Sequence, residues 1–313
     1  MTKKRVVVML IVIVLLVSGG LLVAGNYFFN VAVVPGDKAF LAAEETDISK
    51  DKLYTEKQWF EKEAVKADWT ITSKDDLKLS ASYIAAEKKN NTTVIIAHGY
   101  MGSRLDMAGI AKMYHEQGYN VLVPDMRAHG KSEGKYVGFG YLEKNDFKRW
   151  VDKTIQMNGS ASQIVLHGHS MGGATVMLAT SENLPKNVKA IVEDCGYTSA
   201  VAELSHQMKE LYHLPSFPLL QITSGITKLR AGYFFGQADP KEALKTNEIP
   251  LLVIHGDKDS FVPTAFAYEL YEATKGPKAI YIAKGANHVE AFPVDKKLFA
   301  TKTLSFVQQY VTK

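Results

Sequence analysis

The 313 residues contain one cysteine, Cys195. An intramolecular disulfide is therefore excluded, although a chain this long can build a core without staples and need not stay in a reducing compartment. Charge is missing from the whole stretch between Arg5 and Asp37. Excess positive charge is missing from everything after the first residues. The chain has 37 Lys and Arg against 33 Asp and Glu, and setting aside Lys3, Lys4 and Arg5 leaves 34 basic residues against 33 acidic ones. No nucleic-acid footprint follows from that balance. Internal repeats and low-complexity tracts are absent, and a composition of 46% hydrophobic and 22% charged residues is that of an ordinary globular chain.

What the N-terminus does have is MTKKR followed by VVVMLIVIVLLVSGGLLVAGNYFFNVAVVPG. About 20 apolar residues suffice for a helix to cross a bilayer. A cleaved signal has a shorter apolar region, of about 7–15 residues, and an A-x-A-like site. No clean site of that kind is present; LLVAG at 21–25 is a weak substitute. No cysteine lies near the run, so lipid attachment at a mature N-terminal cysteine is excluded. The expectation is a single-pass anchor over residues 1–36, its basic flank inside and the rest of the chain extracellular. The alternative is secretion after signal cleavage. Residues 37–66 are polar and rich in Lys and Glu, and read as a helical stalk or packing segment with Trp59 and Phe60 as docking points.

From Trp69 the chain reads as a hairpin, WTIT and LKLSASYI around SKDD. Then short apolar runs at 92–97, 120–125, 163–167, 188–194, 250–255 and 279–283 alternate with helix-like stretches near 103–117, 142–157, 172–183, 264–274 and 295–311. Strands apolar on both faces and separated by helices predict a mostly parallel, doubly wound α/β sheet. The core divides into residues 67–195 and 250–313. Between them, residues 196–249 form an interval too long for an ordinary connection and read as a small helical cap, with a plain crossover as the alternative. Cys195 follows an apolar run and reads as a small buried residue.

The chemistry gathers after the strands. QIVLH leads into Gly168-His169-Ser170-Met171-Gly172 and then a helix-forming stretch, the G-x-S-x-G of a strand–turn–helix elbow. Gly168 and Gly172 leave room for the turn, and Ser170 is the candidate nucleophile. His169 adjoins it in sequence but points elsewhere on a tight elbow, and reads as lining or underlying the site. Further on, HGDKDSFVP supplies Asp259 and GANH supplies His288, in the order Ser, Asp, His. His288 is the candidate base and Asp259 its orienting acid, with Asp257 and Asp194 as alternatives for the acid. An oxyanion needs preorganised N–H donors. The candidates are those of Met171 and Tyr100, with Met101 as the neighbouring alternative to Tyr100. His98 and Gly99 form the turn before Tyr100, and Asp125, Arg127 and His129 are expected to hold a loop beside the site.

Five stretches, HGYMGS at 98–103, PDMRAHGKSEG at 124–134, GHSMGG at 168–173, HGDKDSFVP at 255–263 and GANH at 285–288, resemble the α/β-hydrolase superfamily in its own order. Within it the chain resembles the branch of monoglyceride lipases and serine-aminopeptidase-like hydrolases. The apolar start is similar to that of membrane-anchored bacterial cell-surface hydrolases. The resemblance implies an α/β-hydrolase fold with Ser170, Asp259 and His288 as the triad. It leaves the substrate open.

His98, His167 and His255 each end a strand before a glycine, and His167 with His169 makes an H-x-H pair. A metal reading finds no acidic ligand pattern beside them in the sequence, and packed, hydrogen-bonded histidines are expected instead. No metal or other cofactor is expected. The expected activity is hydrolysis of a small ester or lipid-like substrate through an acyl-enzyme. Peptidase or amidase, thioesterase or acyltransferase chemistry on the same residues are the alternatives, as is a non-catalytic surface interaction protein.

Overall fold

The structure, a computed structural model, describes residues 2–38, 41 and 50–312. Eight strands form one sheet: β1 Lys66–Thr72, β2 Lys78–Ile84, β3 Thr92–Ala97, β4 Asn120–Pro124, β5 Gln163–His169, β6 Val188–Asp194, β7 Leu251–Gly256 and β8 Lys278–Ala283. Their order is β1-β2-β4-β3-β5-β6-β7-β8, with β1 and β2 antiparallel at one edge and β3 to β8 parallel. Every residue of β3, β4, β5 and β7 is buried, as expected of strands covered on both faces.

The helices are α1 Lys3–Ala32, α2 Tyr54–Gln58, α3 Ala108–Glu116, α4 Glu143–Asn158, α5 Met171–Leu178, α6 Ala200–Tyr212, α7 Leu219–Ala231, α8 Pro240–Leu244, α9 Ala265–Ala273, α10 Ala291–Val294 and α11 Lys296–Val307. They divide the buried apolar side chains into two cores. One holds Trp150, Met171, Tyr233 and Phe29; the other holds Tyr114, Phe292 and Phe299. The stretch expected as a helix over 103–117 opens with a 3-10 turn at Arg104–Met107, and the one over 172–183 ends with another at Ala179–Ser181.

The chain leaves β3 for β4 on one side and returns to β5 on the other. That reversal opens a crevice at the carboxyl ends of β3 and β5, where such sheets place ligands. His98-Gly99-Tyr100 follows β3 and Ser170 follows β5, so both loops meet there. The interval 196–249, read as a cap, holds α6, α7 and α8.

The segment expected as a stalk lies partly outside the described residues, at 39–40 and 42–49. Its described part packs onto the body: Phe60 is buried in the second core, and Lys296 Nζ lies 2.6 Å from Glu56 Oε1.

Candidate active site

Ser170 caps the amino end of α5 at φ +53°, ψ −116°, a region that L residues avoid. Its backbone is held on both sides: its N–H donates to Asp194 O at 2.8 Å, and its carbonyl accepts from Ala174 N at 2.9 Å. The flanking glycines are sterically required. A Cβ on Gly168 would lie 2.1 Å from Gly172 O, and one on Gly172 would lie 2.3 Å from Ala97 O. Buried strands and an α5 start with no room beneath it thus lift the Ser170 hydroxyl to the crevice.

Three side chains from distant parts of the chain converge on it. His288 Nε2 is 2.9 Å from Ser170 Oγ, and His288 Nδ1 is 2.8 Å from Asp259 Oδ2. Asp259 Oδ1 accepts from the N–H groups of Phe261, at 3.0 Å, and Val262, at 2.8 Å. Burial alone would raise the Asp259 carboxyl, but hydrogen bonds to His255 and His288 hold it down to about 2. It is therefore a carboxylate at any ordinary pH. The other two acids raised by the sequence are engaged elsewhere. Asp257 Oδ1 accepts from Gly285 N at 2.6 Å, and Asp194 Oδ2 lies 2.8 Å from His169 Nε2.

The loop after β3 is set by two histidines. His98 donates through Nδ1 to Gly99 O at 2.8 Å and accepts at Nε2 from Met126 N at 2.9 Å. His129 donates through Nδ1 to Arg127 O at 2.8 Å and accepts at Nε2 from Met101 N at 3.1 Å. These partners require one proton on each ring. Burial pushes both rings down, His98 to about 4 with His129 beside it, so both stay neutral. The Met101 N–H is thus committed to His129, whereas among the described residues the Tyr100 N–H has no hydrogen-bond partner. The Tyr100 hydroxyl donates in the opposite direction, to Val31 O at 3.1 Å and Ala32 O at 2.9 Å at the end of α1.

Asp125 and Arg127 do not line the cavities at Ser170. Asp125 accepts from Arg104 Nη2 at 2.7 Å and Lys131 N at 2.8 Å. Arg127 is clamped by Asp146 at 2.7 Å on Nε and by Asp75 at 3.0 Å on Nη1, which ties the 125–134 loop to α4 and the β1–β2 turn. Arg104, Asp146 and Asp75 escaped the sequence reading because their partners lie 19 to 52 positions away. His255, expected only as a packed, hydrogen-bonded histidine, meets the same acid as His288. Its Nε2 is 3.2 Å from Asp259 Oδ2, and although burial would lower its pKa, Asp259 and Glu193 raise it.

Among the described residues, two donor sets lie close enough for a cation, with ligand atoms within 4.8 Å of one another: His167, His169 and Asp194, and Cys195, Asp259 and His288. The first corrects the expectation that no acid accompanies the H-x-H pair. Parallel pairing of β5 with β6 sets His169 opposite Asp194, a proximity no spacing reveals. Two donors on one tetrahedral zinc at about 2.0–2.1 Å would stand about 3.3 Å apart. The 2.8 Å between His169 and Asp194 is instead a direct contact of the two side chains, though not aligned as a hydrogen bond. In the second set, burial pushes the Cys195 thiol well up, which disfavours the thiolate a metal needs.

Two cavities meet at Ser170. The larger, about 470 Å³, is lined by His169, His288, Asp106, Phe292, Leu41, Leu53 and Lys57. The narrower, about 80 Å³, is almost wholly apolar and lies between α6, Phe261 and the last turns of α1.

Known proteins share this architecture. The sequence signature described as the alpha/beta hydrolase fold matches residues 92–216. The uncharacterized protein YqkD of Bacillus subtilis is 30% identical over 225 residues, 72% of this chain and 74% of that protein. A monoacylglycerol lipase of Mycolicibacterium smegmatis is 27% identical over 205 residues, 55% of this chain and 71% of its own. The structure of the Pyrococcus furiosus esterase Pf2001 superposes with a TM-score of 0.66 at 26% identity, covering 89% of this chain and 97% of the esterase. The signature spans the elbow that carries Ser170, and the chain belongs to the α/β-hydrolase family.

Proposed function

We infer that this α/β hydrolase cleaves carboxylic esters through an acyl-enzyme on Ser170. The reading rests above all on one observation, the continuous line from Ser170 Oγ through His288 to Asp259 at 2.9 and 2.8 Å. His288 takes the Ser170 proton as the hydroxyl attacks the carbonyl carbon, and returns it to the leaving oxygen. Asp259 keeps the His288 Nδ1 proton in place and offsets the imidazolium charge. The Tyr100 and Met171 N–H groups receive the oxyanion, and the amino end of α5 adds its dipole. Water then attacks the acyl-enzyme, with His288 again as base, and releases the acid.

The acyl group is apolar, in keeping with the lining of the narrow cavity. Glu203 is the one acid on that lining, and burial pushes it up to about 8, so it is neutral at pH 7. A neutral acid among apolar walls supports an ester over a substrate with a free amine, the feature an aminopeptidase would need. The lipase and esterase among the similar proteins support the same class.

The N-terminal helix is read as an uncleaved anchor with the catalytic domain on the outer face. Support comes from Lys3, Lys4 and Arg5 at its start and from a hydrophobic window of mean hydropathy 3.2 with no burial inside the body. A signal cut within 21–25 would sever α1 where Gly25 packs on α7.

Labelling with a fluorophosphonate probe tests the chemistry. Wild type is expected to label, and Ser170→Ala and His288→Ala are not. A folded wild type that does not label would remove the serine-hydrolase reading.

A further inference from the structure

Helix α1 does not stop at the surface of the hydrolase body. From Val6 to Val23 its side chains are largely exposed, a rise of about 27 Å at 1.5 Å per residue. That is close to the ~30 Å hydrocarbon core of a bilayer. The same helix then runs unbroken into the body. A Cβ on Gly25 would lie 2.7 Å from Ile222 Cγ2, so the two backbones approach closely. Arg230 stacks over Phe29 at 4.2 Å and donates to Asn26 Oδ1 at 2.9 Å. Phe29 and Val33 are fully buried. Contacts that advance together along both helices make α1 and α7 parallel, so the start of α7 lies toward the lipid end of α1. The loop before α7 carries Leu214 and Phe217, which is 72% exposed.

Chemistry at Ser170 assigns the two cavities. His288 must give its proton to the leaving group, so the leaving group lies beside His288. His288 lines the larger cavity and does not line the narrow one. The acyl chain is left with the narrow one. Its walls are Met208, Leu211 and Tyr212 of α6 on one side and Phe28, Val31 and Ala32 of α1 on the other. Phe28 and Tyr212 meet edge to face at 5.0 Å across it.

We propose that the last turns of the membrane helix form one wall of the acyl site, and that a lipid acyl chain passes from the bilayer to Ser170 along the seam between α1 and α6. This rests on the ester reading of Ser170 and on α1 as a membrane span. The anchor thereby sets chain-length selectivity as well as location.

The test uses the full-length chain in phosphatidylcholine vesicles. It reads the ratio of kcat/KM for p-nitrophenyl dodecanoate to that for p-nitrophenyl butyrate, a ratio that is insensitive to the fraction of protein folded. Val31→Trp, which fills the seam, is expected to lower the ratio at least tenfold. Phe28→Ala, which widens it, is expected to raise the ratio. Val23→Trp, on the exposed stretch of α1, is expected to keep it within twofold. Ratios within twofold of wild type for both Val31→Trp and Phe28→Ala would overturn the proposal, as would an equal effect of Val23→Trp. The underlying readings fail differently. A wild type that neither labels nor hydrolyses either ester removes the ester reading and the proposal with it. An active wild type released from vesicles by alkaline carbonate overturns the bilayer route, while the Val31→Trp ratio still decides the wall.

Discussion

Asp259 sits between two histidines, 2.8 Å from His288 Nδ1 and 3.2 Å from His255 Nε2. Removing its charge leaves His288 without the partner that fixes its tautomer. Asp259→Asn is expected to lower kcat/KM for p-nitrophenyl butyrate by about 10³–10⁴-fold. Asp257→Asn, which only weakens one bond to Gly285, is expected to stay within about tenfold of wild type. Equal losses in the two variants would shift the acid role. Glu193 illustrates a different cost at residue scale. It is fully buried, burial pushes its carboxyl up to about 8, and its Oε2 accepts from Gly196 N at 2.8 Å. The folded chain therefore holds a proton that the unfolded chain releases above about 4.3. Folding stability consequently falls as pH rises from there to about 8. Glu193→Gln keeps the shape of the protonated acid. It is expected to raise the thermal midpoint relative to wild type at pH 9 and not at pH 4. Parallel melting curves across that range would show that Glu193 does not carry the proton.

Among the elements, the elbow and α7 show how differently glycines are used. The Cβ of Gly168→Ala would enter the backbone of the next turn at 2.1 Å, and no rotamer relieves a backbone clash. That variant is expected to lose soluble folded yield or, where folded, probe labelling. Gly225, inside α7, meets nothing within 4 Å. Gly225→Ala is expected to gain up to about 1 kcal/mol from helix propensity. A rise of a few degrees in the melting temperature would register it. The junction of α1 with the loop after β3 is more specific. The Tyr100 hydroxyl satisfies carbonyls that the last turn of α1 leaves without intrahelical partners. Tyr100→Phe strands them, at a cost of about 1–3 kcal/mol. It is expected to lower the melting temperature.

For the whole molecule, α1 has two parts with separate jobs. The exposed part up to Val23 makes no contact that the hydrolase body needs, whereas Gly25, Phe29 and Val33 belong to its packing. Deletion of residues 2–24 is expected to give a folded protein that hydrolyses p-nitrophenyl butyrate. Deletion of residues 2–36 uncovers Ile222, Ile226 and the floor beneath Phe29, and is expected to aggregate or melt well below the shorter deletion. Indistinguishable melting of the two would place the end of α1 outside the folding unit.

By itself the sequence determined the strands, the elbow and the order of Ser170, Asp259 and His288, because these follow from local rules. A strand buried on both faces must be apolar throughout, a strained turn must have glycines where a Cβ cannot fit, and an uncharged run of that length has few places to go. Only the tertiary structure decided which acid faces His288, since Asp257 and Asp259 are two residues apart and the loop's backbone N–H groups select between them. It alone brought Asp194 to His169, through the pairing of β5 with β6, and His255 to Asp259. It alone committed the Met101 N–H to His129. The end of α1 is the furthest such case. Apolar residues suit an exposed stretch of such a helix and a stretch packed against protein alike, so the pattern could not say that Phe29 and Val33 are buried in the body while Val6 to Val17 stay exposed.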